Sequence, residues 1–313
     1  MIGMRMGMGL GAGNFGAGEG STLPTEGGIL HNGYIYHIFE TDGELEVLAD
    51  VDVDVMLVGG GGGNGGTYTN WGTGGGGAGA VIEDNVSLTP GTYDVNIGLG
   101  GESLNNGGNT TAFGLTAIGG GRGGKRTGTA PNDGGSGGGA PGWYNTAPAQ
   151  LVFPGGAPEA GQGHKGGDGD VSATASHQGS QGGGGYGSQG IDRLTARAAG
   201  LNDNAGTNGG LGKLLSDIFN GLESGESIGL AFNGVAGGGG GAAGSASTTI
   251  GLGGGVAANP YGAGDGGHGT LSPTPTIDGT GSGAGGAANT MDTIEGRSCG
   301  KGGDGIVIVR YAV

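Results

Sequence analysis

Apolar and polar residues alternate along several segments in the first part of the chain. In Val51–Val58, three valines alternate with Asp52 and Asp54 before the run becomes wholly apolar. Thr92–Leu99 alternates more regularly, with its apolar side chains at positions 93, 95, 97 and 99. A period of two puts successive side chains on opposite faces of a β-strand, so these segments are predicted to be strands with one buried face. Similar patterns, rich in apolar and β-branched residues, predict strands in Tyr34–Phe39, Glu44–Leu48, Ala80–Leu88, Thr110–Ile118 and Ile306–Tyr311.

The order of these strands predicts the fold class. Turn signals such as Thr41–Gly43 and Pro90–Gly91 separate neighbouring runs and favour antiparallel pairing. We therefore predict an all-β protein in which residues 31–118 form an antiparallel β-sandwich, completed by a C-terminal strand at 305–312. Residues 1–30 are predicted to form an N-terminal anchoring arm, and residues 119–304 a glycine-rich domain.

One segment of the glycine-rich region has a helical period instead. Six apolar residues fall at i, i+3, i+4, i+7, i+8 and i+11, which is one face of an α-helix, and Gly221 stands near the C-cap position. We predict a short amphipathic helix whose apolar face packs on the protein core; its apolar residues are Leu211, Leu214, Leu215, Ile218, Phe219 and Leu222. A weaker helix is predicted over Asp192–Ala199.

The glycine content restricts how the remaining chain can fold. There are 92 glycines among 313 residues, whereas an average protein has roughly 7 %. Runs such as Gly59–Gly63 and Gly237–Gly241 break any Gly-X-Y register, which excludes collagen. Two alternatives remain: a flexible linker, or rods in the polyglycine II conformation, which have three residues per turn and bond their neighbours through radial N–H and C=O groups. Apolar inserts such as Gln150–Phe153 favour the rods.

Charge and cysteine content narrow the function classes. Acidic residues outnumber basic ones by 27 to 11, which gives a net charge of −16. Binding to nucleic acid or to an anionic membrane needs a basic patch, and the basic residues here are scattered singly. Cys299 is the only cysteine, which excludes an intrachain disulfide. No apolar stretch approaches the roughly 20 residues that span a bilayer, so no membrane insertion is predicted.

Short motifs that resemble sites of chemistry occur in the glycine-rich region. Gly119–Lys125 approaches a phosphate-binding loop, but Arg126 stands where Ser or Thr would bind magnesium. Gly134–Gly138 has the spacing of a nucleophile elbow without its flanking strand and helix, and Gly166–Asp170 partly resembles a calcium-binding repeat. Such matches arise by chance in a chain this rich in glycine, so we predict no catalytic residue, no cofactor and no metal site.

Aromatic residues are scarce and stand out inside the glycine-rich loops. Rings on rigid loops suit contacts with sugars or proteins, and the alternative is that they fill the ends of the glycine rods. The candidates for receptor binding are Tyr68, Trp71, Trp143, Tyr144, Tyr186 and Tyr261. The arm carries adaptable methionines that suit docking into a partner's groove, with a frayed terminus as the alternative. Its candidate anchoring residues are Met4, Met6, Met8, Leu10 and Phe15.

Five segments, taken in order, resemble the glycine-rich domain of bacteriophage tail-fibre and related virion structural proteins. They are Val55–Gly63, Gly74–Gly79, Ser87–Gly98, Gly107–Gly121 and Gly302–Tyr311, and the resemblance extends over residues 45–313. It implies a non-enzymatic virion component at a fibre or tail tip that meets the host surface. Tail fibres usually carry a long trimeric shaft, whereas a short arm precedes the domain here, so attachment is expected through that arm or an adaptor.

The expected function is attachment of a virion appendage to a host-surface glycan or protein. The expected partners are tail, adaptor or capsid proteins bound through the arm, and further copies of the chain in a homo-oligomer, with a trimer favoured. Nucleic acid is not an expected partner, and the expected location is the virion surface after assembly in the host cytoplasm. The alternatives are a capsid decoration protein that cements the shell, and a non-phage polyglycine protein that is structural or binds ice.

Overall fold

A computed structural model describes thirteen ranges of the chain. They are residues 24–25, 27–66, 72–125, 129–142, 153–159, 161–170, 179–243, 249–255, 259–267, 272–287, 293–294, 297–298 and 300–313. The strands in these ranges are β1 (Ile29–His31), β2 (Tyr34–Phe39), β3 (Gly43–Val47), β4 (Val51–Val58), β5 (Val81–Leu88), β6 (Gly91–Asn96), β7 (Thr110–Ala112), β8 (Leu115–Ala117), β9 (Lys213–Leu214), β10 (Gly234–Val235), β11 (Thr293–Ile294), β12 (Arg297–Ser298) and β13 (Ile306–Ala312). The helices are α1 (Arg193–Ala198), α2 (Leu215–Ile218) and two short 3₁₀ helices, Gly225–Ile228 and Gly253–Gly255.

Two antiparallel sheets form the sandwich, which confirms the predicted all-β class. The first sheet has the order β1-β2-β13-β4-β5, and the second has the order β3-β6-β7-β8. The C-terminal strand lies in the middle of the first sheet, where Ile308 pairs with Ile38 on one side and with Met56 on the other. β13 therefore pairs with β4 although some 250 residues separate the two strands in the chain.

The core between the two sheets follows the alternation in the sequence. Val53 and Val55 are buried in this core, together with Val95 from the opposite sheet, whereas Asp52 between the valines is exposed. The alternation fails at Leu99, which is 67 % exposed. β6 ends at Asn96, and the glycine-rich chain beyond it no longer has the two-residue period of a strand.

A second core covers the outer face of the five-stranded sheet. Met56 and Ile308 point to this face and are buried against Phe219, Leu222 and other apolar residues of the 215–236 segment. The guanidinium carbon of Arg310 lies 5.0 Å from the centre of the Phe219 ring and 4.4 Å from that of Tyr34. Its Nε also donates to Asp54 at 3.0 Å. The five-stranded sheet is thus the middle layer of three, and a buried arginine fastens the outer layer to it.

The predicted amphipathic helix over Leu211–Leu222 is wrong in extent. Only Leu215–Ile218 is α-helical. Lys213 and Leu214 instead pair as a strand with β10, which withdraws their backbone groups from a helix. Leu215, Phe219 and Leu222 are nevertheless buried, so the spacing identified core residues without identifying the backbone that carries them. The weaker helix predicted over Asp192–Ala199 is confirmed as α1.

The glycine segments outside the sheets form a hydrogen-bonded lattice with a period of three. The amides of Gly59, Gly62 and Gly65 all donate to the segment 74–80, at 2.8–3.1 Å. The amides at positions 60 and 63 donate to 105–108, and those at 61 and 64 donate to 300–303. The carbonyl groups of the same rod accept bonds from residues 101–104, 120–123 and 284. Three residues per turn with bonds to surrounding rods is the polyglycine II arrangement, and it joins segments from both sides of position 118.

Backbone spacing, not backbone conformation, explains why these rods consist of glycine. The φ angles of Gly60, Gly61 and Gly62 lie outside the left-handed region, so other residues could adopt them. A Cβ atom added at any of the three would nevertheless lie well below 3.0 Å from a carbonyl oxygen of a neighbouring rod. The lattice therefore excludes side chains from its interior because the rods approach each other too closely.

A buried hydrogen-bond cluster ties the start of the described chain to the sandwich. The hydroxyl group of Thr25 lies 2.8 Å from Nε2 of His37 and 2.7 Å from the hydroxyl group of Tyr311. Its neighbour Pro24 accepts a hydrogen bond from the amide of Leu48 at 2.7 Å. Thr25 and β1 are thus part of the sandwich, since Thr25 is buried and β1 belongs to its first sheet.

This cluster makes stability depend on pH. Burial lowers the pKa of His37 below its usual value. A depressed pKa in the folded protein means that the unfolded chain binds the proton more readily, so this contribution is complete above about pH 6.5 and is lost as the pH falls through the folded pKa. Thermal unfolding at pH 7.5 and pH 5 should show a smaller pH-dependent change in Tm for His37→Gln than for the unmodified chain. Equal changes would contradict the assignment to His37.

Candidate functional site

Two of the six aromatic candidates, Tyr186 and Tyr261, lie in described ranges, and they do not form one site. Both lie beside the ribbon formed by β9 and β10. Lys213 and Val235 face one side of this ribbon, where Tyr186 packs against the second core. Gly212 and Gly234 expose their backbone on the other side, against the Tyr261 ring. The structure therefore separates the two rings by a two-stranded ribbon.

The surroundings of Tyr186 are partly occupied by an ion pair. Nζ of Lys213 lies 5.6 Å from the centre of the Tyr186 ring. The same Nζ forms a salt bridge of 2.6 Å with Glu83. The charge and the ring face that a ligand would use are therefore already engaged with each other.

Tyr261 fills the space above two glycines of the ribbon. A Cβ at Gly212 or Gly234 would collide with its ring, so these positions are glycine to make room for it. Burial raises the pKa of Tyr261, and the nearby carboxylate of Asp217 raises it further. These contacts support the interpretation of Tyr261 as a residue that fills the end of a glycine rod.

The other aromatic candidates, Tyr68, Trp71, Trp143 and Tyr144, lie outside the described residues, as do the anchoring candidates Met4, Met6, Met8, Leu10 and Phe15. The described neighbours of Trp71 and Trp143 lie close to each other. The amide of Gly142, which precedes Trp143, donates to the carbonyl group of Gly72, which follows Trp71, at 2.9 Å. The chain segments that carry these aromatic residues therefore depart from neighbouring points of the lattice.

Those points belong to one end of the lattice, which we call the loop end. Rods meet there through the bonds Thr73–Ala287, Ser180–Ala242, Ala243–Gly267 and Asn64–Gly300, all at 2.9–3.1 Å. Seven chain connections start and finish at this end, between residues 66 and 72, 125 and 129, 142 and 153, 170 and 179, 243 and 249, 267 and 272, and 287 and 300.

The opposite end of the molecule, which we call the base, is the far end of the sandwich. β4 runs from the base at Val51 to the lattice at Gly59, and the tight turns Asn32–Gly33 and Phe113–Gly114 lie at the base. Pro24 also lies there, bonded to Leu48. The N-terminal segment therefore joins the sandwich at the end opposite to the seven connections.

The motifs that resemble sites of chemistry are engaged in the lattice. The amides of Gly120, Gly121, Gly123 and Gly124 donate to lattice carbonyl groups at 2.8–2.9 Å, so none of them is available for a phosphate. The hydroxyl oxygen of Ser136, within the elbow-like motif, accepts a bond from a backbone amide and is fully buried.

The two carboxylates of the calcium-like motif also have protein partners. Asp168 accepts a bond from the amide of Gly155 at 2.7 Å and pairs with Lys165. Asp170 pairs with Arg197 at 2.7 Å. In the described ranges, no three His, Cys, Asp or Glu side chains come together in a group that could hold a metal ion.

A repeated five-residue motif escaped the sequence analysis. Lys-Gly-Gly-Asp-Gly occurs at 165–169 and again at 301–305. In the second copy, Lys301 pairs with Asp304 at 2.7 Å, and Asp304 accepts a bond from the amide of Gly100 at 2.7 Å, just as Asp168 does from Gly155. In each copy a side-chain carboxylate accepts a bond from a backbone amide of the lattice, as backbone carbonyl groups do elsewhere in it. The repetition is visible in the sequence. Both copies place the same lysine–aspartate pair and the same bond from amide to carboxylate in the lattice.

Comparison with known proteins agrees with this architecture. The pattern that defines the glycine-rich domain matches residues 41–312, which include the second sheet, the strands β4, β5 and β13 of the first sheet, and the lattice. The chain belongs to the glycine-rich domain family. No curated protein matched the chain. The match of the glycine-rich domain ends at Ala312, the last residue of β13, so the family pattern includes the whole C-terminal strand. None of the helices in the described part of this domain has the length and apolar character needed to cross a bilayer.

Proposed function

We propose that the chain is a non-enzymatic bacteriophage virion structural protein whose glycine-rich domain forms an exposed tail-fibre tip or similar appendage that attaches to the host surface. The observation that carries this proposal is the separation of the two ends. The N-terminal segment joins the sandwich at the base through Pro24, and the seven connections depart from the loop end. A protein that is fixed at one end and whose chain connections depart from the other end suits attachment.

The lattice supports this role because it holds the bases of the connections in fixed positions. Every third amide of a rod bonds to the same neighbour, so displacement of one rod breaks bonds in several directions. Recognition residues on loops need such a scaffold, because ordering a loop upon binding costs conformational entropy. Trp71 and Trp143 belong to connections that start at neighbouring points of the loop end. Several copies on one particle would add their weak contacts into firm attachment.

Binding to bacterial host cells tests the receptor part of the proposal. We expect the double variant Trp71→Ala/Trp143→Ala to lose at least tenfold in cell binding, because aromatic rings carry much of the energy of such contacts. The matched control is Leu48→Ala, which truncates a residue that is 46 % exposed at the base. Equal binding by both variants and the unmodified chain would exclude these two tryptophans from the receptor site.

Incorporation into particles tests the attachment part separately. Deleting residues 1–23 removes the arm but keeps Thr25 and β1, which belong to the sandwich. We expect this deletion to abolish incorporation while the purified chain still folds and unfolds in one cooperative thermal transition. Normal incorporation of the truncated chain would remove the anchoring role of the arm and of its candidates Met4, Met6, Met8, Leu10 and Phe15.

A further inference from the structure

The first sheet of the sandwich has a free edge. β5 pairs with β4 over its whole length, from Val81 opposite Val58 to Leu88 opposite Val51. Among the described residues, no strand pairs with the other side of β5. An eight-residue edge of this kind presents unpaired N–H and C=O groups that can accept a further strand.

Apolar side chains next to this edge are incompletely covered on the inner face of the sheet. Ile82 and Val86 of β5 pack on the first core but are only half-buried. Val86 and Leu88 line an open groove of about 410 Å³ together with Tyr93 and Phe113. Phe113 has a φ of 54°, in the left-handed region that disfavours residues with side chains. The backbone of Phe113 is therefore strained at the turn that places its ring in this groove.

The outer face at the same edge is acidic. Asp52, Asp54 and Glu83 share this face, since Asp52 lies opposite Ser87 and Asp54 opposite Asn85. Arg310 pairs with Asp54 and Lys213 pairs with Glu83. No salt bridge to Asp52 is found among the described residues. A second copy of β5 would bring a second set of carboxylates to this edge, and such like charges repel.

The chain's own N-terminal segment carries an apolar face for the groove, which Asp84 and Asp94 border on the inner face, and a positive charge for the outer face. Its apolar residues Met4, Met6, Met8 and Leu10 alternate with Arg5, Gly7 and Gly9, so an extended strand would carry all four apolar side chains on one face and Arg5 on the other. No acidic residue precedes Glu19. The segment therefore combines an apolar face for the groove with a positive charge for the acidic face.

The segment is also long enough to reach the edge from its attachment at the base. Residues 11–23 can extend to about 40 Å, at roughly 3.3 Å per residue. The five-stranded sheet is about 20 Å wide, at roughly 4.8 Å between strands. Attachment at Pro24 keeps the segment at a high effective concentration near the edge, which favours pairing within one chain over pairing with a second copy.

We propose that residues 4–10 add to the free edge of β5 within the same chain as a sixth strand of the first sheet. The apolar residues of this strand cover the groove beside Val86 and Phe113, and Arg5 lies on the face that carries Asp52. The arm is then part of the folded base. This pairing concerns the free chain and needs no particle, so it can be tested separately from the attachment role proposed above, which uses the same residues.

Amide hydrogen exchange of the full chain, read residue by residue, tests the pairing. In the unmodified protein, the β5 amides that do not bond to β4 should be protected. The variant Met6→Asp/Met8→Asp places charges on the apolar face and should raise exchange at these amides at least tenfold, while the amides of β13 stay unchanged. The matched control Gly7→Ser/Gly9→Ser alters the opposite face and should retain the protection.

Two results would overturn the proposal. One is equal exchange of the outward β5 amides in the unmodified chain and in Met6→Asp/Met8→Asp. The other is protection that disappears on dilution, because it would show that the added strand comes from a second copy. A fold defect caused by the aspartates would appear as faster exchange in β13 as well; the charge-reversing variant Arg5→Glu then tests the pairing and should also raise exchange at the β5 edge. Unchanged exchange in Arg5→Glu would likewise count against it.

Discussion

Replacing Gly76 with alanine is expected to lower the free energy of unfolding by about 3 kcal/mol, the upper part of the range for an overpacked interior. The amide of Gly76 donates to Ala284 at 2.8 Å, and its carbonyl group accepts from Gly239 at 2.9 Å. A methyl group at this position would collide with the carbonyl oxygen of Gly62, which belongs to a third rod. The new atom meets only backbone, so whole rods must shift to make room. Equilibrium unfolding in guanidinium chloride measures the effect.

The matched control is Gly91→Ala. Gly91 is exposed at the start of β6, has no left-handed φ, and its Cβ would have no neighbour closer than 3.9 Å. The free energy of unfolding should change by less than about 0.5 kcal/mol, as at other surface positions. If both variants unfolded at the same denaturant concentration, close approach of the rods would not be what requires glycine at position 76.

Replacing Phe219 with alanine is expected to lower the free energy of unfolding by about 3–5 kcal/mol, as for other buried aromatic residues. The side chain is 1 % exposed, and its ring meets that of Tyr36 edge-on, with 6.1 Å between ring centres. It also supports the guanidinium group of Arg310. The variant should therefore lose packing and leave a buried cation with one aromatic neighbour fewer. Thermal and denaturant unfolding both measure this loss.

Leu211→Ala is the control for this prediction, because a helix over 211–222 would place Leu211 on the same apolar face as Phe219. In the structure, Leu211 lies outside α2 and is 38 % exposed. Its replacement should cost less than about 1 kcal/mol. Comparable losses for the two variants would favour the longer helix that the spacing predicts and would contradict the strand pairing of Lys213.

The strands of the sandwich could be predicted because apolar and polar residues alternate along them. Val53 and Val55 alternate with acidic residues, and the structure buries the valines and exposes Asp52. The helical signal of Leu215 and Phe219 was less informative, because residues of an irregular segment can be buried at the same spacing. The spacing of apolar residues indicates which side chains are buried in a core. It indicates the secondary structure as well only where the same spacing continues over a long, regular run.

The lattice was predictable in kind but not in its connections. A high glycine content favours polyglycine rods, but nothing in a glycine distinguishes Gly61, which bonds to Gly303, from Gly62, which bonds to Gly77. Side chains normally encode which segments pair, and here they are missing. The few side chains that do carry such information, Asp168 and Asp304, lie at lattice edges and could have been found through their repeated motif.

The candidate site was the least predictable part. Tyr186 and Tyr261 are both aromatic residues in glycine-rich sequence, yet one packs beside an ion pair and the other fills a gap over two glycines. Composition cannot separate these cases from exposed rings. The two ends of the molecule emerged only from the hydrogen bonds between rods, since neighbouring connections are far apart in the sequence.

The interleaving of the rods has a consequence for how the protein is made. The rod at 59–66 needs neighbours from 74–80, from 101–108 and from 300–303 before its backbone groups are paired. On the ribosome, the earliest rods must wait for the last part of the chain, and so must β4, whose partner β13 is the C-terminal strand. Such distant pairing closes long loops and slows folding. Because no rod can leave without breaking bonds to several others, we expect opening to be slow too, so that a high barrier to unfolding keeps the protein folded once it has formed.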